Sequence, residues 1–269
     1  MSVVLQSDVS LFERLYTSSD TIGISRSMLN VQCVSPLSIS ELIHKSELIY
    51  KSPRYRFSEE LARFPSSRFY GGKLGTGTDT SNLDTKLSST DFPWPKSSGK
   101  LIPNVFVPCF TPEDLGQRSK QNEGQAKLVA YIVKLLKPSD ATRVIEPPLT
   151  IAVLTPYTKQ VKCLKNYISE QTSISTIDGF QGREADFVVY SSVRCNPDND
   201  IGFLMDERRL NVAWTRARVA RILVGDPYTL RHGKAWQDSD SKDAQPEEND
   251  LWKTAIEDCS VVTLSLPEG

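Results

Sequence analysis

Histidine is almost missing from this chain of 269 residues: only His44 and His232 occur, too few imidazoles for a multi-histidine metal centre. None of the cysteines, Cys33, Cys109, Cys163, Cys195 and Cys259, belongs to a C-x-x-C pair. Zinc-ribbon and disulfide-framework chemistry are excluded, and scattered buried thiols in a reducing compartment are expected. No apolar run approaches the roughly 18 residues of a membrane span, and the first basic side chain is Arg14, so the start has no basic leader region. The expectation is an intracellular protein, nuclear or cytoplasmic, with no membrane partner. Net charge is lacking as well. Lys plus Arg number 32 against 33 Asp plus Glu, leaving −1. A uniformly basic nucleic-acid coat is thereby ruled out, while a local basic groove is not.

What remains is an ordinary globular balance, 39% apolar and 24% charged, enough for a core in one large domain or two small ones. The front is irregular. Residues 71–100 are so rich in Gly, Ser, Thr, Asp and Pro that they read as a surface loop. Residues 237–250 carry six acids against one lysine and read as a second mobile segment. No repeat is visible at solenoid periods.

Between these loops the pattern alternates. Ile102–Val107 is β-branched, and a helix is predicted over 119–137 with Ala126, Val129, Val133 and Leu136 on one face before Pro138. Strand-like Leu149–Thr155, a helix over 158–170, strand-like Ser173–Asp178 and Phe187–Val193, a helix over Glu207–Arg218, and a strand over Arg221–Gly225 follow. Nearly all-apolar strands separated by amphipathic helices imply a mostly parallel sheet buried on both faces, a three-layer α/β fold. The expected boundaries are 1–100 for the irregular N-terminal segment, 101–236 for the α/β domain, and 237–269 for an acidic loop and C-terminal tail.

Three segments place polar residues at the ends of such strands, where ligands bind in open α/β sheets. In Ser175-Thr-Ile-Asp-Gly-Phe-Gln-Gly-Arg-Glu-Ala-Asp186 a strand enters a turn bearing Gly179 and Gly182. Glycines let a backbone approach phosphate or sugar oxygens; the plainer reading is a connecting turn with solvated charges. In Glu207-Arg-Arg-Leu-Asn-Val-Ala-Trp-Thr-Arg-Ala-Arg218, Leu210, Ala213 and Ala217 can face a core, leaving Arg209, Asn211 and Arg216 to point elsewhere. Arginine suits bidentate phosphate contacts and charge developing in phosphoryl transfer; the plainer reading is a basic solvated face. Leu154-Thr-Pro-Tyr-Thr-Lys-Gln160 offers hydroxyls before a helix, either for a phosphate backbone or as a simple cap.

Together, in this order and spacing, the three resemble motifs IV, V and VI of superfamily-1 helicases of the Upf-like group. Ser10–Leu15, Phe64–Leu74, Ser119-x-x-Asn122 (with Gln125 where the group usually has Glu), Leu223–Asp226 and Trp236 extend the resemblance over most of residues 3–236. It implies a RecA-like domain, the second of two that hold ATP and Mg2+ between them and pass a single strand of RNA or DNA across both. By similarity, Arg216 would be an arginine finger and Gln181 would couple nucleotide to strand. Gly182, Glu184 and Arg209 would border the nucleotide, with Glu184 on the ribose. Thr155, Ser175 and Thr176 would lie along the nucleic-acid track, giving salt-dependent, sequence-tolerant contacts.

Two departures temper these expectations. No G-x-x-x-x-G-K-[ST] occurs, nor an apolar strand ending in Asp-Glu. The chain therefore lacks residues for Mg2+ and is expected to be a truncated motor, inactive as an ATPase in isolation, whose first RecA-like domain would be a separate partner. The alternative is a non-catalytic nucleic-acid-binding or regulatory remnant. Near Gln32, the group's L-x-V-Q-Y-R pattern is interrupted by residues 33–54 and resumes at Tyr55 and Arg56. These two would stack on adenine and reach the γ-phosphate, and 33–54 reads either as an insertion that splits the site or as a tolerated loop bulging to the surface.

Overall fold

The computed structural model describes residues 57–74, 82–114, 119–234 and 250–266. Its centre is a six-stranded sheet. In chain order its strands are β3 (Asn104–Pro108), β4 (Ile151–Thr155), β5 (Ser173–Thr176), β6 (Ala185–Ser191), β7 (Ala217–Gly225) and β8 (Ser260–Val261); a small hairpin, β1 (Lys96–Ser97) with β2 (Lys100–Leu101), precedes them. The order across the sheet is β5-β4-β6-β7-β3-β8, and every pairing is parallel. Parallel neighbours need crossovers, and crossovers put helices on both faces. Hence every residue of β6 is buried.

Alternation along each strand divides the core in two. Leu154, Val188, Tyr190 and Leu223 face one side, with α1 (Glu59–Phe69), α5 (Glu207–Trp214), α6 (Pro227–Arg231) and α7 (Asp250–Glu257). Val153, Phe187, Val189, Ile222 and Val224 face the other, under α2 (Leu83–Ser88), α3 (Glu123–Leu135) and α4 (Thr158–Lys165). This is the three-layer RecA-like α/β fold.

Local chemistry fixes the helix ends. Asn122 caps α3 by accepting from the Gln125 N–H at 2.9 Å, and Asp206 caps α5 by accepting from Arg208 and Arg209. Buried Arg221 on β7 gives two N–H groups to Asn104 Oδ1 and one, at 2.8 Å, to the Trp214 carbonyl at the end of α5. Burial lowers its pKa to about 10.

Three sequence expectations change. Residues 82–100 are not a surface loop: Leu87, Phe92 and Trp94 are buried, and Trp94 stacks on Phe187 at 6.0 Å. A polar average concealed a few well-spaced apolar side chains. The helix expected to reach Arg218 stops at Trp214, because the Thr215 hydroxyl donates back to the Asn211 and Val212 carbonyls and β7 begins at Ala217. Finally, 250–261 is no loose tail. Trp252 is fully buried, its indole N–H donates to the Leu204 carbonyl at 2.8 Å, and β8 pairs with β3.

Candidate nucleotide and nucleic-acid edges

Parallel strands give the sheet two chemically distinct edges, and the residues singled out from sequence divide between them. Thr155, Ser175 and Thr176 end β4 and β5 at the carboxyl edge. Glu184 and Arg216 immediately precede β6 and β7 at the amino edge. The segment 177–184 crosses between the edges, so the expectation that all three motifs converge at carboxyl ends holds for only part of the set.

At the amino edge, motifs V and VI are tied directly. The Ala185 N–H donates to the Arg216 carbonyl at 3.1 Å. Arg216 is 9% exposed, and its guanidinium donates to the Val212 carbonyl (2.9 Å), the Arg183 carbonyl (3.3 Å) and the Thr215 hydroxyl (2.9 Å). It is thus turned onto its own domain. Glu184 pairs with Arg218 at 3.3 Å, and Arg218 also reaches Asp186 at 3.0 Å. Asp186 in turn accepts from the Thr150 N–H and hydroxyl. Sequence reasoning assigned no role to Arg218, Asp186 or Thr150; the alternation Arg216-Ala217-Arg218 at a strand start was the available signal. Gly182, exposed with φ +79°, makes the turn into this cluster, where a Cβ would find open space but a strained backbone. Arg183 lies over the Phe180 ring at 4.8 Å, and Gln181 is exposed beside it. Phe180, Arg183 and Glu184, with Thr150, Ile151, Thr172 and Ser173, line a cleft of about 650 Å³.

The carboxyl edge is built differently. Ser175 and Thr176 are half-buried, and the Gly179 N–H donates to the Thr176 hydroxyl at 3.1 Å. A Cβ on Gly179 would lie 2.8 Å from the Ser175 hydroxyl oxygen, so any larger residue there must turn that hydroxyl aside. Thr155 is fully buried. It alternates with Val153 onto the α3–α4 side, and its Oγ1 has no hydrogen-bond partner among the described residues. Its hydroxyl therefore faces the interior, and its carbonyl accepts the Ile177 N–H at 3.2 Å. This position is closed off from the surface and does not stand along an exposed track. Under it lies a buried amide cluster: Gln160 and Gln125 hold Ser191 Oγ, and Gln125 Oε1 accepts the Val193 N–H at 2.8 Å. Val193 has φ +71°. Arg209 also belongs to this edge and not beside Glu184. It sits in the first turn of α5 and forks onto Asp178, Nε to Oδ1 at 3.3 Å and Nη2 to Oδ2 at 3.2 Å.

This geometry can be set beside known proteins. The family described as "AAA domain" matches residues 44–228. The chain is 34% identical over 241 residues to a regulator of nonsense transcripts 1 homolog of Arabidopsis thaliana, covering 84% of this chain and 16% of that protein. It is 33% identical over 195 residues to the ATP-dependent helicase upf1 of Schizosaccharomyces pombe, covering 68% and 20%. With the DNA polymerase alpha-associated DNA helicase A of Saccharomyces cerevisiae it shares 32% over 222 residues, covering 74% and 32%.

The chain belongs to the Upf1-like superfamily-1 helicases. It spans between about a sixth and a third of these relatives' own lengths. Members of this family use ATP and Mg2+. Glu184, Gly182 and Arg216 stand near one another at the amino edge, an acceptor, an open turn and a guanidinium of the kind the resemblance expects beside a nucleotide. Mg2+ is another matter: among the described residues no group of three or more His, Cys, Asp or Glu side chains could hold a metal ion. Tyr55, Arg56, the segment 33–54 and Trp236 lie outside the described residues. Among the described residues no helix is long and apolar enough to cross a membrane.

Proposed function

We propose that this Upf1-like chain supplies the second RecA-like lobe of an ATP-driven motor acting on single-stranded RNA or DNA. In this reading the Walker A and B residues come from sequence outside these 269 residues. The observation that carries it is the pairing of motif V with motif VI at one edge. Arg216 and Glu184 flank the adjacent starts of β6 and β7, and Arg216 gives a hydrogen bond to the Arg183 carbonyl. An arginine finger needs such a mount: rigid backbone, and donors that can be handed from protein carbonyls to a developing phosphoryl charge. Ser175 and Thr176 supply the strand track at the opposite edge. Arg216 serves as finger, Glu184 and Gly182 border the nucleotide, Gln181 couples the two edges, and Tyr55 and Arg56 complete the nucleotide's surroundings. Arg209 is reassigned from the nucleotide to the strand.

A second reading is a nucleic-acid-binding or regulatory module without catalysis, favoured by the absence of G-x-x-x-x-G-K-[ST] from the chain. Two measurements on the purified chain decide. Filter binding of single-stranded RNA and DNA at several salt concentrations is expected to give a linear fall of log K with log salt. ATP turnover is expected to be absent until a Walker-bearing first lobe of a relative is added. Strand binding without any stimulated turnover supports the second reading, and no strand binding at all sinks both.

A further inference from the structure

A phenylalanine at the carboxyl edge is held outward by its neighbours. Phe203 is 55% exposed within the short 3-10 turn Gly202–Met205, whereas Ile201 and Leu204 on either side are fully or almost fully buried. The turn is pinned from three directions. The Leu204 carbonyl accepts the buried Trp252 indole N–H. The Gly202 N–H donates to Asp200 Oδ1 at 2.9 Å. Asp200 is itself ion-paired to Arg194, which Glu113 holds at 3.2 Å. An apolar ring of this size exposed on a mobile tip would be unremarkable; here the anchoring fixes it in water.

Its surroundings have a definite chemistry. The Tyr157 ring backs one side at 5.9 Å, and the Arg209 guanidinium carbon lies 5.7 Å from the ring centroid. Burial raises the Tyr157 pKa to about 12, so the ring stays neutral. Arg209 is parked on Asp178, whose side chain is 65% exposed. An ion pair this accessible contributes about 1 kcal/mol or less, so a phosphodiester oxygen can replace the carboxylate on the same guanidinium fork. Asp178 begins two residues after Thr176, which makes this cluster continuous with the hydroxyls at the ends of β5.

We propose that Phe203 and Arg209 form a one-nucleotide subsite for single-stranded nucleic acid, with the ring stacking a base and the guanidinium taking the adjoining phosphate from Asp178. The guanidinium lies over the Phe203 ring, so moving it to a phosphate uncovers that face. An exposed ring with a displaceable arginine is the combination by which single strands are held without sequence readout. The inference rests on the strand-binding function proposed above and names where one nucleotide sits.

The test is fluorescence anisotropy of labelled oligouridylate and oligothymidylate with the full 269-residue chain. Phe203→Ala is expected to weaken binding at least about fivefold. Arg209→Gln is expected to lower the slope of log K against log salt by about 0.7, and Asp178→Asn to tighten binding by removing the competing carboxylate. Phe203→Trp restores affinity, and its own emission is quenched when a base stacks on it, a signal no loss of folding imitates. Wild-type chain that binds neither oligonucleotide overturns the strand function and the subsite together. Wild-type binding that Phe203→Ala and Arg209→Gln leave within twofold, or an unquenched Phe203→Trp, overturns the subsite alone. If that surface instead receives a protein segment, neither substitution moves oligonucleotide affinity.

Discussion

Gly182 sits at φ +79° with nothing within 4 Å of where a Cβ would stand. Substitution there is therefore a test of backbone conformation free of collision. Gly182→Ala is expected to lower unfolding stability by about 1–2 kcal/mol, the cost of holding an L-residue in the left-handed region, with an unchanged urea m-value. A midpoint equal to that of the parent chain would show that the turn relaxes into another conformation. Gly179 makes the contrasting case, since a Cβ at 2.8 Å from the Ser175 hydroxyl oxygen must push a track residue aside. Gly179→Ala is expected to weaken strand binding in the same anisotropy assay while Gly182→Ala leaves it unchanged. The two glycines of one motif thus serve different edges, and their variants separate stability from recognition.

At the scale of elements, the C-terminal helix α7 acts through the 3-10 turn that presents Phe203. Trp252 packs on Trp214 at 5.6 Å and Tyr190 at 6.0 Å, besides its bond to Leu204. Trp252→Ala is expected to cost about 3–5 kcal/mol by the cavity left behind, read from urea unfolding. A loss below about 1 kcal/mol would mean that α7 and β8 are appended to the sheet without supporting it. Sequence patterning revealed the central strands because burial on both faces makes them near-continuous apolar runs, as in Phe187-Val-Val-Tyr. It did not reveal α7, because the acidic stretch before it dominates the local composition, while Leu251, Trp252, Ala255 and Ile256 fall on one helical stripe. It extended α5 too far, since Ala217 lies on the helical stripe of Leu210 and Ala213 and is equally buried at the start of a strand. Glycines and charges of motifs V and VI were legible from their spacing. Their division between two edges was not, because it depends on the crossover 177–184, and in Gly202-Phe-Leu-Met nothing marks Phe203 rather than Leu204 as the exposed side chain.

For the whole molecule, α5 runs between two arginines, one near each edge. Arg209 lies in its first turn and Arg216 just past its end. At about 1.5 Å per residue the two are roughly 10 Å apart along the axis, joined by hydrogen-bonded backbone. A strand that draws Arg209 off Asp178 acts on the helix whose far end holds Arg216 through the Val212 carbonyl and Thr215 hydroxyl. Buried Arg221 clamps that end at the Trp214 carbonyl, so the helix transmits displacement better than it absorbs it. This predicts separable losses once the chain is joined to a Walker-bearing lobe. Arg216→Ala is expected to reduce turnover by about 10³–10⁵, the range for an arginine finger, with strand affinity unchanged. Arg209→Gln is expected to leave basal turnover intact while removing most of its stimulation by single strands. Steady-state ATPase with and without oligonucleotide measures both. If Arg209→Gln lowers basal and stimulated rates in equal proportion, α5 does not link the edges, and Arg209 belongs with the nucleotide after all.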